Sequence, residues 1–184
     1  SRVYNYAIKM EHTHQNPWAK IERYSTPQRK VVWQHSDVIR FLDKAYSDYE
    51  YRNVGLIVQM AYEWCQRLGD MRTLQWENID LATRVLTLEQ SKRRADVSLP
   101  ISDELVTMLN EQRKDFGFQE YVVPHPNPTM GKYEPYAMER LSKVGRRVMR
   151  LAGLPEELRL MDLRRTGVTQ MIDSGVPMGQ LMSV

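Results

Sequence analysis

The sequence predicts an α+β fold that is mainly α-helical and carries one small antiparallel β-sheet. Long stretches place apolar residues three and four positions apart, which is the spacing of an amphipathic helix. Between residues 85 and 99 the period changes to two, which is typical of half-buried strands. With 184 residues, 42% of them hydrophobic, the chain can bury the core of one main globular domain.

Residues 1–29 are predicted to lie outside the main domain, which spans residues 30–184. They begin with the end of a helix, and the chain then leaves the helical conformation at Asn16–Pro17, because a residue before proline disfavours it. The segment is either the end of an upstream unit with its linker or the frayed terminal helix of a one-domain protein.

Two helices are expected next. Ser36 is predicted to cap the first, with Asp37 favourably placed in the first turn. The second is expected from about Asn53, and Arg67 lies off its apolar face, so Arg67 should point away from the core. The apolar face consists of Val54, Ile57, Val58, Ala61, Tyr62 and Cys65.

A small antiparallel sheet follows. Residues 85–89 and 97–99 alternate between apolar and polar side chains, so they are predicted to be two paired strands, with residues 78–81 as a candidate third. The turn at residues 91–96 is basic, and its charge alone favours a solvated hairpin tip. Its cations are Lys92, Arg93 and Arg94.

Three further helices are predicted, and residues 177–184 are expected to begin a last one. Ser102 should cap the first of the three, the second should cover residues 136–153, and the third should run from residue 162 to residue 174 and stop at Gly175. The residues expected to face inward are Leu105, Met108 and Leu109 in the first helix, Leu141, Val144, Val148 and Leu151 in the second, and Leu163, Val168, Met171 and Ile172 in the third.

The helix over residues 136–153 also carries four cations on one face. Such a stripe is most often a solvated surface, but its members repel one another unless anions are near. A DNA backbone would supply those anions, so the stripe is a candidate DNA-binding track. It consists of Lys143, Arg146, Arg147 and Arg150.

Composition excludes several classes of protein. The net charge is only +3, from 26 Lys and Arg against 23 Asp and Glu, so bulk charge is weak evidence for nucleic-acid binding. A single cysteine, Cys65, allows no internal disulfide, and no apolar run is long enough to span a bilayer. The loop at residues 121–135 has no metal-site spacing. We predict a cytoplasmic protein that needs no metal or cofactor and has no membrane partner.

Two short blocks each place an arginine beside a carboxylate. In the first, Arg67 precedes Asp70 by three residues; in the second, Asp162 precedes Arg164 by two. If the fold brings the two arginines together, their guanidinium groups would form a receptor for one phosphate.

The two blocks resemble the catalytic domain of the tyrosine recombinase (phage integrase) family. The family's first box reads roughly Thr-Gly-x-Arg-x-x-Glu-x-x-x-Leu-x-Trp, and its second commonly reads His-Asp-Leu-Arg-x-Thr. The second box matches from Asp162 to Thr166, with Met161 in place of the histidine. In the first, Arg67, Asp70, Leu74 and Trp76 are in register, while Trp64 and Cys65 replace Thr-Gly.

The resemblance implies site-specific DNA recombination, in which a tyrosine cleaves a strand, forms a 3′-phosphotyrosyl link and the strand is then rejoined. Arg67 and Arg164 would bind the scissile phosphate, and Lys92 would protonate the leaving 5′ oxygen. Asp70, Met161 and Asp162 would occupy supporting positions, although Met161 has no titratable group. The DNA-binding residues would be Arg93, Arg94, Lys143, Arg146, Arg147 and Arg150.

The resemblance also implies the partners, which are double-stranded DNA attachment sites and, for a full-length protein, a homotetramer. Residues 1–29 would then end an upstream DNA-binding domain. The family's nucleophilic tyrosine would lie beyond Val184, so the chain is expected to be C-terminally incomplete and inactive alone. One alternative is a DNA-binding regulator that keeps the fold without cleavage, and another is a helical scaffold for an acidic protein. Met161 favours the regulator, whereas Arg67, Lys92 and Arg164 oppose it.

Overall fold

The computed structural model describes residues 2–20, 27, 29–89 and 96–177. Contacts divide the chain into two units, Ser1–Lys30 and Val31–Val184. In the first unit, helix α1 (Arg2–Lys9) is followed by a turn in which the Asn16 side chain accepts the Trp18 N–H at 3.0 Å. The predicted helix is present, but it ends at Lys9 and Glu11 already has a left-handed φ of 58°, so the chain leaves the helical conformation well before the predicted break at Asn16–Pro17.

The described part of the second unit consists of six α-helices and a three-stranded sheet. The helices are α2 (His35–Tyr46), α3 (Tyr49–Glu63), α4 (Leu68–Arg72), α5 (Asp103–Phe116), α6 (Met138–Leu151) and α7 (Leu163–Asp173). The strands are β1 (Ile79–Asp80), β2 (Val85–Glu89) and β3 (Asp96–Pro100).

Helix α3 lies at the centre of this unit, in contact with α2, α4, α5, α6 and α7. Every residue from Asn53 to Ala61 is buried, because helices surround α3 instead of covering one face. The helix begins four residues before the predicted start, since the Asp48 carboxylate accepts the Glu50 N–H at 2.9 Å and caps it.

The predicted cap of α2 is wrong. The helix begins at His35, so Ser36 lies inside its first turn and Gln34 is the capping residue. The Asp37 carboxylate accepts the Gln34 N–H at 3.1 Å and receives the Arg40 guanidinium at 2.6 Å. A carboxylate three residues into the helix therefore satisfies the N–H group that precedes it.

The strand predictions are confirmed, including the third strand. The sheet order is β1-β2-β3, fully antiparallel, with Leu86 opposite Leu99 and Leu88 opposite Val97. These four side chains are buried on the core side of the sheet. The basic turn with Lys92, Arg93 and Arg94 lies outside the described residues, and so do residues 178–184 with most of the predicted last helix.

Among the later helices, Ser102 caps α5 as predicted by accepting the Leu105 N–H at 3.2 Å. Gly175 follows α7 with the left-handed φ of 85°, which confirms the predicted stop.

The predicted inward faces of α6 and α7 are partly wrong. Leu151 and Ile172 are exposed, while the buried residues that were not predicted are Gly145 and Met149 in α6, and Thr166 and Gly167 in α7. Small side chains let these helices approach their neighbours closely.

Candidate active site

The position of Arg67 is set by a sharp change of direction after α3. The helix ends at Glu63, and Cys65, predicted to be part of its apolar face, lies beyond that end with a left-handed φ of 50°. Arg67 then immediately precedes α4 as its capping residue. The turn at Cys65, rather than the apolar stripe of α3, therefore directs the Arg67 side chain.

Arg67 and Asp70 lie together at the start of α4. Arg67 Nη1 is 3.7 Å from Asp70 Oδ2, and 29% of the arginine side chain and 7% of the aspartate side chain are exposed. Arg67 Nη1 is itself buried and makes no hydrogen bond to any residue that the structure describes. Because a buried N–H group without an acceptor is unfavourable, Arg67 is suited to receive an additional anion.

Arg164 lies in the first turn of α7, which packs directly against the end of α3. Gly167, one turn further along, lies so close to Cys65 that an added Cβ would be 2.7 Å from its Sγ atom. Burial raises the pKa of the Cys65 thiol to about 11, and the positive charge of Arg164 acts in the opposite direction. The fold therefore brings the Arg67 and Arg164 blocks together across the interface between α3 and α7.

The other residues of the second block anchor the start of α7. Asp162 is buried, and its Oδ2 atom accepts the Arg159 N–H at 3.0 Å. Thr166 is also buried, and its hydroxyl donates to the Asp162 carbonyl at 3.1 Å while accepting the Trp33 N–H at 3.0 Å. Met161, by contrast, is 74% exposed. Asp162 therefore fixes the backbone at Arg159, just before α7 begins.

The four cations of α6 are all exposed, but they do not share one environment. The Arg147 guanidinium lies over the ring of Tyr51 and 3.8 Å from Glu50 Oε1, so its charge is partly neutralised within the molecule. Arg146 and Arg150 line a separate cavity with Arg159, and Lys143 is exposed to solvent.

Residues 33–184 of this chain match the model of the Phage integrase family. The chain belongs to the phage integrase family. The resemblance inferred from the two blocks is therefore confirmed. A comparison with curated protein sequences gave no match.

Solved structures of recombinases and integrases share the fold of this phage integrase family member. A lambda integrase dimer bound to a COC′ core site is 20% identical, with a TM-score of 0.69 over 95% of this chain and 50% of that one. XerA recombinase is 17% identical, with a TM-score of 0.67 over 86% and 56% of the two chains. The Tn1549 transposon integrase, in complex with a circular intermediate DNA, is 13% identical, with a TM-score of 0.72 over 99% and 67%. The present chain thus spans about half to two thirds of their lengths.

The family's first box has a glycine where this integrase-family chain has Cys65. The left-handed φ of 50° at Cys65 is the backbone conformation that glycine adopts without steric cost. The family glycine therefore fits the turn that places Arg67, and Cys65 occupies the same conformation with a buried side chain.

Two contributors to the site were not identified from the sequence. The Trp64 indole N–H donates to the Pro100 carbonyl at 3.0 Å and links the end of α3 to the end of β3. Arg72 Nη1 donates to the Tyr136 carbonyl at 2.8 Å and holds the end of α4. Their partners are distant in the chain, so no local pattern indicates these contacts.

The described residues contain no helix that is both long and apolar enough to cross a membrane. Within the same residues, no three His, Cys, Asp or Glu side chains are grouped as metal ligands.

Proposed function

We propose that this chain is the catalytic domain of a phage or mobile-element integrase that recombines double-stranded DNA at specific sites. The observation that supports this most directly is the close packing of α7 on the end of α3. Gly167 of α7 lies against Cys65, two residues before Arg67, and the charge of Arg164 acts on the Cys65 thiol and opposes the rise in its pKa. Arg67 Nη1 is buried and has no hydrogen bond to a described residue.

In the proposed reaction, Arg67 and Arg164 bind the nonbridging oxygens of the scissile phosphate. They stabilise the negative charge that increases when the phosphorus becomes five-coordinate, a contribution on the order of 3–4 kcal/mol for each well-placed donor. Asp70 holds the Arg67 guanidinium through the 3.7 Å ion pair, so that it is already oriented when DNA arrives.

The remaining steps require a nucleophile and an acid. A tyrosine hydroxyl attacks the phosphorus, the bond to the 5′ oxygen breaks, and Lys92 gives its proton to that oxygen. The 3′-phosphotyrosyl link conserves the bond energy, so a 5′ hydroxyl of a second strand can reverse the step. Met161 has no group that could accept the proton of the tyrosine, so we infer that a water molecule takes it.

The partners of the proposed integrase are attachment-site DNA and further copies of the chain. One of the similar structures is a lambda integrase tetramer bound to a Holliday junction, and we infer a tetramer for the full-length protein as well. Because its substrate is DNA, we expect it in the bacterial cytoplasm.

Covalent trapping of the full-length protein on a nicked suicide DNA substrate tests the assignment. Arg67→Ala and Arg164→Ala should each abolish the adduct while circular dichroism and thermal unfolding remain those of a folded protein. Arg165→Ala is the matched control, since this exposed arginine neighbours Arg164 in the same block. Unchanged adduct formation in the two site variants would reject the phosphate receptor.

A DNA-binding regulator without cleavage is the second candidate, and the exposed, non-titratable Met161 favours it. It would bind DNA with an affinity that falls as salt rises, because phosphate contacts release counterions, yet it would form no adduct. An adduct from the unaltered full-length protein would exclude this candidate.

A further inference from the structure

A second cluster of arginines surrounds a cavity away from the pair just described. Arg146 and Arg150 from α6 and Arg159 from the segment before α7 line one cavity of about 220 Å³. Its one acidic lining residue is Glu156, so three positive charges face one negative charge. Like charges around one cavity repel each other, and an anion between them would remove that repulsion.

Arg159 is held in place by its surroundings. Its Nη1 atom donates to the carbonyls of Glu156 and of Leu158, the latter at 2.8 Å. Its backbone N–H donates to Asp162 Oδ2 at 3.0 Å, and its carbonyl accepts the Trp33 indole N–H at 3.1 Å. These contacts use one nitrogen of a guanidinium that has five N–H donors, so the group is oriented and retains donors for a ligand.

Phosphate suits this cavity better than a carboxylate ligand does. Guanidinium groups bind phosphate oxygens through paired N–H donors, and the two charged nonbridging oxygens of a backbone phosphate can each accept from more than one arginine. A cavity of about 220 Å³ admits a phosphate group, and Met149 and Leu154 in its wall offer the arginines no acceptor of their own.

We propose that Arg146, Arg150 and Arg159 together bind one DNA backbone phosphate that is not the scissile phosphate. The proposal rests on the proposed function, since it takes DNA as the ligand. Asp162 binds the Arg159 backbone and lies two residues before Arg164, so a phosphate in this cavity is held at a fixed distance from the catalytic pair. Arg147, committed to Glu50 and Tyr51, is outside this cluster.

The salt dependence of DNA binding tests whether the three arginines share one phosphate. The slope of log K against log salt is about −0.9 for each phosphate neutralised on duplex DNA, whatever the number of arginines on it. We expect Arg146→Gln, Arg150→Gln and Arg159→Gln each to weaken binding of the full-length protein to a random-sequence duplex. The triple variant should flatten the slope by only about 0.9, the value for one phosphate.

Lys114→Gln is the control, because this exposed lysine on α5 carries the same charge and pairs with Glu111. It should leave the slope unchanged. A triple variant that flattens the slope by about 2.7 would mean three separate phosphate contacts, and an unchanged slope would mean a solvated patch. Either result overturns the shared site. If the unaltered protein shows no salt-dependent DNA binding, the proposed function itself fails.

Arg159 also supports two carbonyl groups, so Arg159→Gln could disturb the segment before α7. Thermal unfolding of each variant separates that effect from lost binding. The double variant of Arg146 and Arg150, both exposed on α6, gives an independent reading, since it should also flatten the slope by no more than about 0.9. A larger change in that double variant contradicts the proposal.

Discussion

The contact between Gly167 and the end of α3 predicts the effect of a single methyl group. In Gly167→Ala the new Cβ would lie 2.7 Å from Cys65 Sγ and closer still to the Tyr62 carbonyl oxygen. The carbonyl belongs to the backbone of α3 and cannot rotate away. Since carbon contacts are normally about 3.5 Å or longer, α7 must move from α3 by roughly 1 Å.

Two consequences of different size follow from that displacement. Overpacking of this kind costs about 1–3 kcal/mol, which corresponds to a fall of about 2–12 °C in Tm for a protein of this length. Arg164 lies one turn before Gly167 and moves with α7. Because a misplacement of about 1 Å can reduce a rate by about 100-fold, we expect adduct formation to fall far more than stability does.

Urea unfolding and single-turnover adduct formation by the full-length protein measure the two effects. Gly69→Ala is the matched control, since a Cβ at Gly69 meets no atom within 4 Å. In the helical backbone of α4 it should be neutral or stabilise by about 0.4–1 kcal/mol, and it should preserve adduct formation. If Gly167→Ala kept the parental stability and rate, close packing would not be what positions Arg164.

Three further outcomes concern the turn between α3 and α4. Cys65→Gly should be tolerated much better than Cys65→Val in urea unfolding, because a β-branched residue is strained at a φ of 50°, with a penalty of about 1–3 kcal/mol; equal stabilities would contradict this. Burial raises the pKa of Cys65 to about 11 from 9.0, so the folded thiol stays protonated while the unfolded thiol ionises. Stability should therefore fall as the pH rises from 9 towards 11, and Cys65→Ala should show a smaller fall over that range; identical pH profiles would refute the assignment. Trp64→Phe removes the donor to the Pro100 carbonyl and should cost about 1–3 kcal/mol in thermal or urea unfolding, whereas an unchanged midpoint would show that the bond contributes nothing.

Local patterns predicted the elements whose determinants lie within a few residues of one another. The alternation of β2 and β3, the Ser102 cap and the Gly175 stop depend on neighbouring residues, and all are present. Ser36 is not the cap because α2 begins one residue earlier, at His35, where the Asp37 carboxylate accepts the Gln34 N–H. Spacing fixes the start of a helix only to within a residue or two.

The burial of individual side chains was predicted less well than the positions of the helices. Leu151 and Ile172 have the spacing of core residues but are exposed, while Gly145 and Thr166 are buried. The close approach of α6 and α7 to their neighbours selects small side chains at the contact. Apolar periodicity counts large side chains, so it overlooks an interface built from small ones.

The sequence by itself determined the family, the order of the strands and of the helices other than the short α4, and which arginines are candidates for the phosphate, because residue spacing and local capping are properties of short segments. Only the tertiary structure decided that the two arginine blocks meet, that Arg147 turns to Glu50, and that Arg159 joins Arg146 and Arg150. Those outcomes depend on contacts such as Cys65 with Met171, 106 residues apart. Contacts of that range form when the core packs as a whole, and a local pattern carries no information about them.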